Sequence, residues 1–243
     1  MTHIEFLGPP GSGKTTIFEG LIEEKKYFGG VREDAVRRAA GTKGRFALSI
    51  VPQTFESVLY HRVIKSPIYI ETFDTFIGGN PEYLTASGVL LESVDQDTRF
   101  LFQKLRLTAT RYQLASETSH NGETVCLDEG FWSRAAAAEW RSGDASPIEE
   151  YLEVVPLPIA VVYIDAPIGI CLTRQQARGN IVSSGNQADS IRQNQKQRKQ
   201  SCDRVRKLAL ENDVPVLTIE NTGSIDEAVS KVKQQLDELI PHS

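Results

Sequence analysis

Between residues 3 and 26 the chain reads as a strand, a glycine turn and a helix, and this segment constrains the fold more than any other. Ile4, Phe6 and Leu7 make a short apolar run suited to a buried parallel strand. Ile17, Phe18, Leu21 and Ile22 recur at helical spacing. Between them, Gly8, Gly13, Lys14 and Thr15 fit the pattern G-x-x-x-x-G-K-[ST], with Pro9, Pro10, Gly11 and Ser12 inside it. Glycines let the backbone turn successive N–H groups inward, and the N-terminus of the following helix adds positive dipole character. The segment from Gly8 to Thr16 is therefore expected to cradle the phosphates of a nucleoside triphosphate, with Lys14 reaching the β- and γ-phosphates and Thr15 ligating Mg²⁺. The bland alternative, a glycine turn that binds nothing, is disfavoured by the flanking strand and helix.

Beyond this segment, Phe28-Gly29-Gly30 breaks the pattern, and two short helices are expected near 31–40 and 53–63. Pro67 introduces Ile68-Tyr69-Ile70, a β-rich triplet read as a second strand ending at Glu71. Residues 82–119 read as two helical pieces, and Phe100, Leu101, Leu105, Thr108 and Tyr112 lie roughly on one face of the second. A third strand runs from Thr124 to Asp128. Four consecutive alanines favour a helix over 131–140, and Ser146-Pro147-Ile148-Glu149 resembles a capped helix start. The apolar run 159–165 is typical of a central parallel strand. Then come a helix over 168–178, a polar loop over 179–190, a long basic helix to about 211, a strand over 215–219 and an amphipathic helix over 224–240. Strands alternating with helices predict an α/β fold of the P-loop NTPase type in one domain over 1–243. Its core is a five-stranded parallel sheet with helices on both faces. Ligands of such sheets sit at the carboxyl ends of the strands, which groups the phosphate loop, Glu71, Asp128 and the turn after Ile219.

With 243 residues, 40% hydrophobic and 24% charged, the composition is that of an ordinary globular protein. A net charge of −5 argues against a dedicated nucleic-acid binder. Cys126, Cys171 and Cys202 are few, odd in number and far apart, which supports neither a disulfide framework nor a zinc site. No stretch reaches membrane-spanning length and the N-terminus enters the first strand directly, so the cytoplasm is the expected location.

Asp128 ends an apolar strand, where a carboxylate can hold Mg²⁺, although capping the next helix is the structural alternative and Glu129 is adjacent. Asp165 also ends a strand, but Pro167 and the helix behind it favour a capping role. Arg174 and Arg178 share a helix face at the mouth of the polar loop. Two arginines there suit phosphate oxygens, with stacking on a base as a second use. The basic residues Arg192, Lys196, Arg198, Lys199, Arg204, Arg206 and Lys207 read as solvated surface, with Arg192 the exception because it follows the loop.

Several segments together resemble the nucleoside-monophosphate kinases, and within that group the thymidylate kinases. They are Gly8 to Thr15, the Asp128 strand, Tyr163-Ile164-Asp165-Ala166-Pro167 and Arg174-x-x-x-Arg178-Gly179. Phe100-Leu101-Phe102-Gln103-Lys104-Leu105-Arg106 is similar to the family helix that carries an acceptor-binding arginine. Residues 214–219 and Asn221-Thr222-Gly223-Ser224 resemble the last strand and the turn that borders adenine. The resemblance implies ATP as phosphoryl donor and Mg²⁺ as its metal. Arg174 would pack on adenine near Thr222 and Gly223, and Arg178 would contact phosphates from a lid formed by 179–190. An acceptor region lies within 27–120, where Glu71, Phe102 and Arg106 face the acceptor with Glu129. Lys14, Asp128, Arg178 and Glu71 would be the catalytic set, and like chains often pair as homodimers through helices beside the sheet.

Two departures from the thymidylate kinase pattern bear on the acceptor. The family follows its strand-end Asp with Arg and then an aromatic, where this chain has Glu129 and Gly130; it also has Arg-Glu-Pro where this chain has Ile70-Glu71-Thr72. The absent arginines tilt the expected acceptor from a nucleotide toward a neutral alcohol, on which Glu71 would serve as general base. Two other readings compete with a small-molecule kinase: a nucleotide-binding regulatory ATPase or GTPase, and a polynucleotide 5′-kinase using the basic helix.

Overall fold

The computed structural model describes residues 2–23, 27–29, 67–95, 97–119, 123–144, 146–179 and 188–240. Five strands, β1 (His3–Leu7), β2 (Tyr27–Gly29), β3 (Thr124–Leu127), β4 (Ala160–Asp165) and β5 (Val216–Glu220), pair in parallel in the order β2-β3-β1-β4-β5. Around them lie the helices α1 (Lys14–Ile22), α2 (Pro67–Gly79), α3 (Glu82–Glu92), α4 (Thr98–Thr118) and α5 (Phe131–Ser142). They are followed by α6 (Ser146–Val154), α7 (Ile168–Ala177), α8 (Ala188–Glu211) and α9 (Ile225–Leu239). None is long and apolar enough to cross a membrane among the described residues.

The side-chain alternation of β4 divides the core in two, because successive residues of a strand point to opposite faces. Ala160, Val162 and Ile164 join Ile4 and Phe6 against Ile17, Phe18 and Leu21 of α1 and Val229, Val232 and Leu236 of α9. Val161 and Tyr163 join Leu7 on the other face, packed with Phe76, Leu101, Leu105, Phe131, Trp132 and Val205. Helices thus cover both faces, as a parallel sheet with apolar side chains on both sides requires. The strand order turns back at β1, so the loop after β1 opens at the switch point where such sheets bind ligands.

β1 itself is not wholly apolar. His3 and Glu5 are fully buried on the face opposite Ile4 and Phe6. The Glu5 carboxylate accepts a hydrogen bond of 2.8 Å from the Trp132 backbone N–H, which meets one of the orphan donors in the first turn of α5 and adds favourable charge at its positive end. His3 Nε2 lies 3.4 Å from the other Glu5 oxygen. A Cβ placed on Gly130 would stand 2.2 Å from the Glu5 carboxyl carbon. Gly130 is therefore small because Glu5 occupies the space beside it.

Two sequence expectations are corrected here. The triplet 68–70 is not a strand: Pro67 to Gly79 forms α2, with Pro67 at the first position where its missing N–H costs nothing. Thr72 and Phe76 are buried at helical spacing, and Phe76 stacks on Phe131 with ring centroids 5.9 Å apart, so packing overrides the β propensity of the triplet. Glu71 accordingly lies exposed on a helix rather than at a strand end. The second strand of the sheet is Tyr27–Gly29, read from sequence as a break; it pairs at the edge with β3, Tyr27 opposite Thr124. The helices expected near 31–40 and 53–63 lie outside the described residues. The remaining strands fall within about one residue of their predicted bounds and the helices from α3 onward within about three, while α1 ends at Ile22, short of the expected 26.

Candidate active site

The glycine loop from Gly8 to Gly13, the candidate phosphate loop, is fixed from behind by side chains of three separate elements. Asn221, just after β5, donates from Nδ2 to the Ser12 carbonyl at 2.6 Å, and Arg174 Nη1 of α7 donates to the same oxygen at 3.1 Å. Arg174 also reaches the Asn221 carbonyl at 3.4 Å. The Pro10 carbonyl accepts from Gln175 of α7 at 3.0 Å and from Gln195 of α8 at 2.7 Å, and the two glutamines bond each other at 3.1 Å. With its carbonyls held outward, such a loop offers its remaining N–H groups to an anion. Gly13 turns with φ +100°, and a Cβ there would stand 2.2 Å from Asn221 Nδ2, so both backbone and packing demand glycine.

Lys14 lies in this turn and donates from Nζ to the carbonyls of Gly8 and Pro9. Burial pulls its pKa below the ordinary lysine value, against the raising influence of Cys202, Glu129 and Asp128. Thr15 is exposed one residue further on.

Asp128 and Glu129 follow β3, and the structure separates their environments. Asp128 keeps Oδ1 buried with no hydrogen-bond partner, and burial raises its pKa, opposed by Arg111 and Arg134. Partial burial also pushes the Glu129 carboxyl up, but Arg134 overrides this and holds it below the usual range. Arg134 Nη2 donates to Glu129 at 2.7 Å and its Nε donates to Thr108 Oγ1 at 3.0 Å, while the Thr108 hydroxyl donates to the Glu129 carbonyl at 3.3 Å. Glu129 is thus committed to a buried arginine, and Asp128 is the carboxylate with capacity to spare.

A cavity of about 370 Å³ opens directly on the loop and is lined by its Gly8, Pro10 and Lys14. Helix α4 contributes Phe100, Leu101 and Lys104, α5 contributes Ser133, Arg134, Trp140 and Arg141, and α8 contributes Arg198 and Cys202. All three cysteines are buried free thiols; burial raises Cys202 to about 11, so it meets the cavity as a neutral thiol near neutral pH.

The structure brings together Gly8 to Thr16, Asp128, Glu129 and Arg174, and leaves others apart. Glu71 does not line the cavity, Phe102 is exposed, and Arg106 stands over the ring of Phe73 at 5.6 Å. Phe100 and Lys104, two residues earlier and so on the opposite flank of α4, line the cavity where Phe102 and Arg106 were expected. Arg178 caps α7 exposed, and Thr222 and Gly223 are exposed beside Asn221. Most of the proposed lid, 180–187, lies outside the described residues. Asp165 is no helix cap: its carboxylate pairs with Lys199. The basic face of α8 is likewise more than solvated surface. Arg198 lines the cavity, Arg204 pairs with buried Glu139 at 3.0 Å and Arg206 lies over Tyr163, whereas Arg192 is exposed. Gln175, Trp140 and Arg141 were not marked by any local motif, Asn221 was read only as part of a turn beside a base and Arg198 only as basic surface; their places beside the loop and cavity appear only in three dimensions.

No protein-family model matches the chain, and no curated protein matches its sequence. Among solved structures it is similar to deoxyadenosine kinase from M. mycoides. With bound dATP the TM-score is 0.53 at 13% identity, with bound dCTP 0.54 at 10%, and with the products dCMP and a flexible dCDP 0.54 at 11%. Each comparison covers 98% of this chain and 100% of the other. At such identity the shared property is architecture, and it spans nearly the whole molecule. The chain has the fold of a P-loop nucleoside kinase.

Proposed function

We propose that the protein is an ATP- and Mg²⁺-dependent kinase that transfers the γ-phosphoryl group to a small-molecule acceptor. One observation carries this reading above all: the cavity shares Gly8, Pro10 and Lys14 with the phosphate loop, so a molecule filling it would lie against the end of a bound triphosphate. Phosphoryl transfer asks chiefly for positioning and charge stabilisation. The loop and Lys14 would hold the β- and γ-phosphates, Arg174 and Arg178 the nucleotide from the α7 side, and the turn at Thr222 and Gly223 would border the base.

The unpartnered, buried Asp128 oxygen fits a Mg²⁺ site shared with the Thr15 hydroxyl and phosphate oxygens, an arrangement typical of this cation. When bound, the ion would neutralise charge between the β- and γ-phosphates. Because Glu129 is held by Arg134, Asp128→Ala is expected to raise the Mg²⁺ concentration for half-maximal activity at least about tenfold, while Glu129→Ala leaves it within about twofold. A Mg²⁺ titration of both variants checks this, and the reverse order would move the assignment to Glu129. Arg174→Ala, which removes the hydrogen bonds to the Ser12 and Asn221 carbonyls, is expected to raise KM for ATP about tenfold or more.

The direct test is an ADP-release assay across nucleotides, nucleosides and sugars. Release that depends on one acceptor class supports the kinase. Release without any acceptor, indifferent to substitutions in the cavity, would instead support a regulatory ATPase.

A further inference from the structure

Two neutral amides meet behind the glycine loop. Gln175 of α7 and Gln195 of α8 are only 9% and 3% exposed. A buried amide costs free energy unless its polar atoms are paired, and apolar side chains would join α7 to α8 without that cost. Here the pairing converges on one peptide unit. Both Nε2 groups donate to the Pro10 carbonyl, and Gln175 Nε2 donates also to Gln195 Oε1 at 3.1 Å and to the Cys171 carbonyl at 3.2 Å. The two hydrogens of Gln175 thus serve three acceptors. Turning this amide over would set its oxygen against all three, so its direction is fixed.

A trans peptide is planar, and its N–H points opposite to its C=O. With the Pro10 carbonyl drawn toward the glutamines, the Gly11 N–H is turned away from them. Among the described residues that N–H meets no backbone carbonyl, whereas the next one, of Ser12, closes a turn onto Pro9 at 3.1 Å. Gly11 has φ +81°, and a Cβ on it would stand 2.3 Å from the Cys171 carbonyl oxygen, the same atom that Gln175 bonds. The loop therefore rests on α7 at the point where the amide pair begins. The Ser12 carbonyl is held by Asn221 and the charged Arg174; the glutamines add no charge and act on the direction of a backbone dipole alone.

We propose that Gln175 and Gln195 are positioning residues for the donor phosphates: by holding the Pro10 carbonyl from behind, they aim the Gly11 N–H at the anion without touching it. This rests on the kinase reading and assigns residues which that reading leaves without a role. The two amides work as a unit, because losing Gln195 leaves a Gln175 hydrogen without its partner, and losing Gln175 leaves Gln195 Oε1 without its donor. The bond between them also makes the direction of one loop N–H depend on how α7 and α8 stand together.

The test is the binding of Mg²⁺-ATP and of adenosine to the unchanged protein, Gln175→Met, Gln195→Met and the double variant, read by competition with a fluorescent ATP analogue. Each single change is expected to raise Kd for ATP about tenfold and to leave Kd for adenosine within about twofold. The double variant should fall at least about threefold short of the product of the two single effects. Thermal melts establish that each variant is folded. Gln195→Glu, close to the native shape but without an N–H to donate, stands in should methionine disturb the packing, and should weaken ATP at least as much. ATP binding that survives every substitution within about twofold would overturn the role of the glutamines and leave the kinase standing. Loss shared equally by adenosine would do the same, since it marks a packing role. An unchanged protein that binds no ATP would overturn both.

Discussion

Lys14→Ala is expected to lower turnover by about 10²–10³-fold, the loss typical of removing one preorganised donor from a developing charge, with the fold intact. Lys14 touches the carbonyls of Gly8 and Pro9, which belong to its own loop. Those are neutral acceptors, and a phosphate oxygen in their place would add the attraction of opposite charges to a bond the ammonium already strengthens. Burial already lowers the lysine pKa, so the folded chain bears a cost in keeping this ammonium charged, and removing it does not forfeit a core contact. Steady-state kinetics with a thermal melt checks the pair of expectations, and Lys14→Met, which keeps the aliphatic stem, separates loss of charge from loss of volume. A variant that stays folded and retains most of its turnover would mean that this loop does not position the transferred phosphate.

Much of the fold was legible because its signals are local. The 3–22 segment, β3, β4, β5 and α9 announce themselves by uniform apolar runs or by a clear helical period, with Ser224 capping α9 by accepting from the Glu227 N–H at 3.2 Å. The strand placed at 68–70 shows where local signal fails. Ile68, Tyr69 and Ile70 favour β structure by type, yet the segment is decided by Phe76, which packs among Tyr83, Tyr112 and Phe131 from three other helices. Such partners have no trace in a window of ten residues. β2 is short and at the edge, with Gly29 in it, and nothing in three residues separates that from a turn.

The site divides along the same line. Gly8 to Thr15 is contiguous and lies between a strand and a helix, so this candidate loop stands out in the sequence. The cavity is assembled from four elements, and its cations come from positions that look like ordinary helix surface. On α4 the error was one of helical phase. With Leu101 and Leu105 buried, Phe100 and Lys104 flank one side of the buried stripe and Phe102 and Arg106 the other. The side that faces the phosphate loop is fixed by where α5 and α8 pack.

Gly130→Ala is expected to destabilise the protein by about 1–3 kcal/mol, the usual cost of forcing one carbon into a filled core, which is about 2–4 °C in Tm for each kcal/mol in a chain of this size. The cause is steric, since φ at Gly130 is −81° and alanine adopts that backbone freely. The new Cβ would stand 2.2 Å from the Glu5 carboxyl carbon. Glu5 cannot swing away cheaply, because it is fully buried and accepts from the Trp132 N–H at 2.8 Å. Glu5→Ala alone should also cost about 1–3 kcal/mol by leaving that N–H unpaired. Combined, the two changes should cost less than their sum by at least about 1 kcal/mol, because removing the Glu5 side chain removes the atoms that the new Cβ would meet. Denaturant melts of the single and double variants measure the coupling, and additivity within about 0.5 kcal/mol would show that Glu5 does not dictate the glycine. The same contact accounts for the departure from the thymidylate kinase pattern at this position: an aromatic ring there would have to occupy the volume of a buried carboxylate that already closes the first turn of α5.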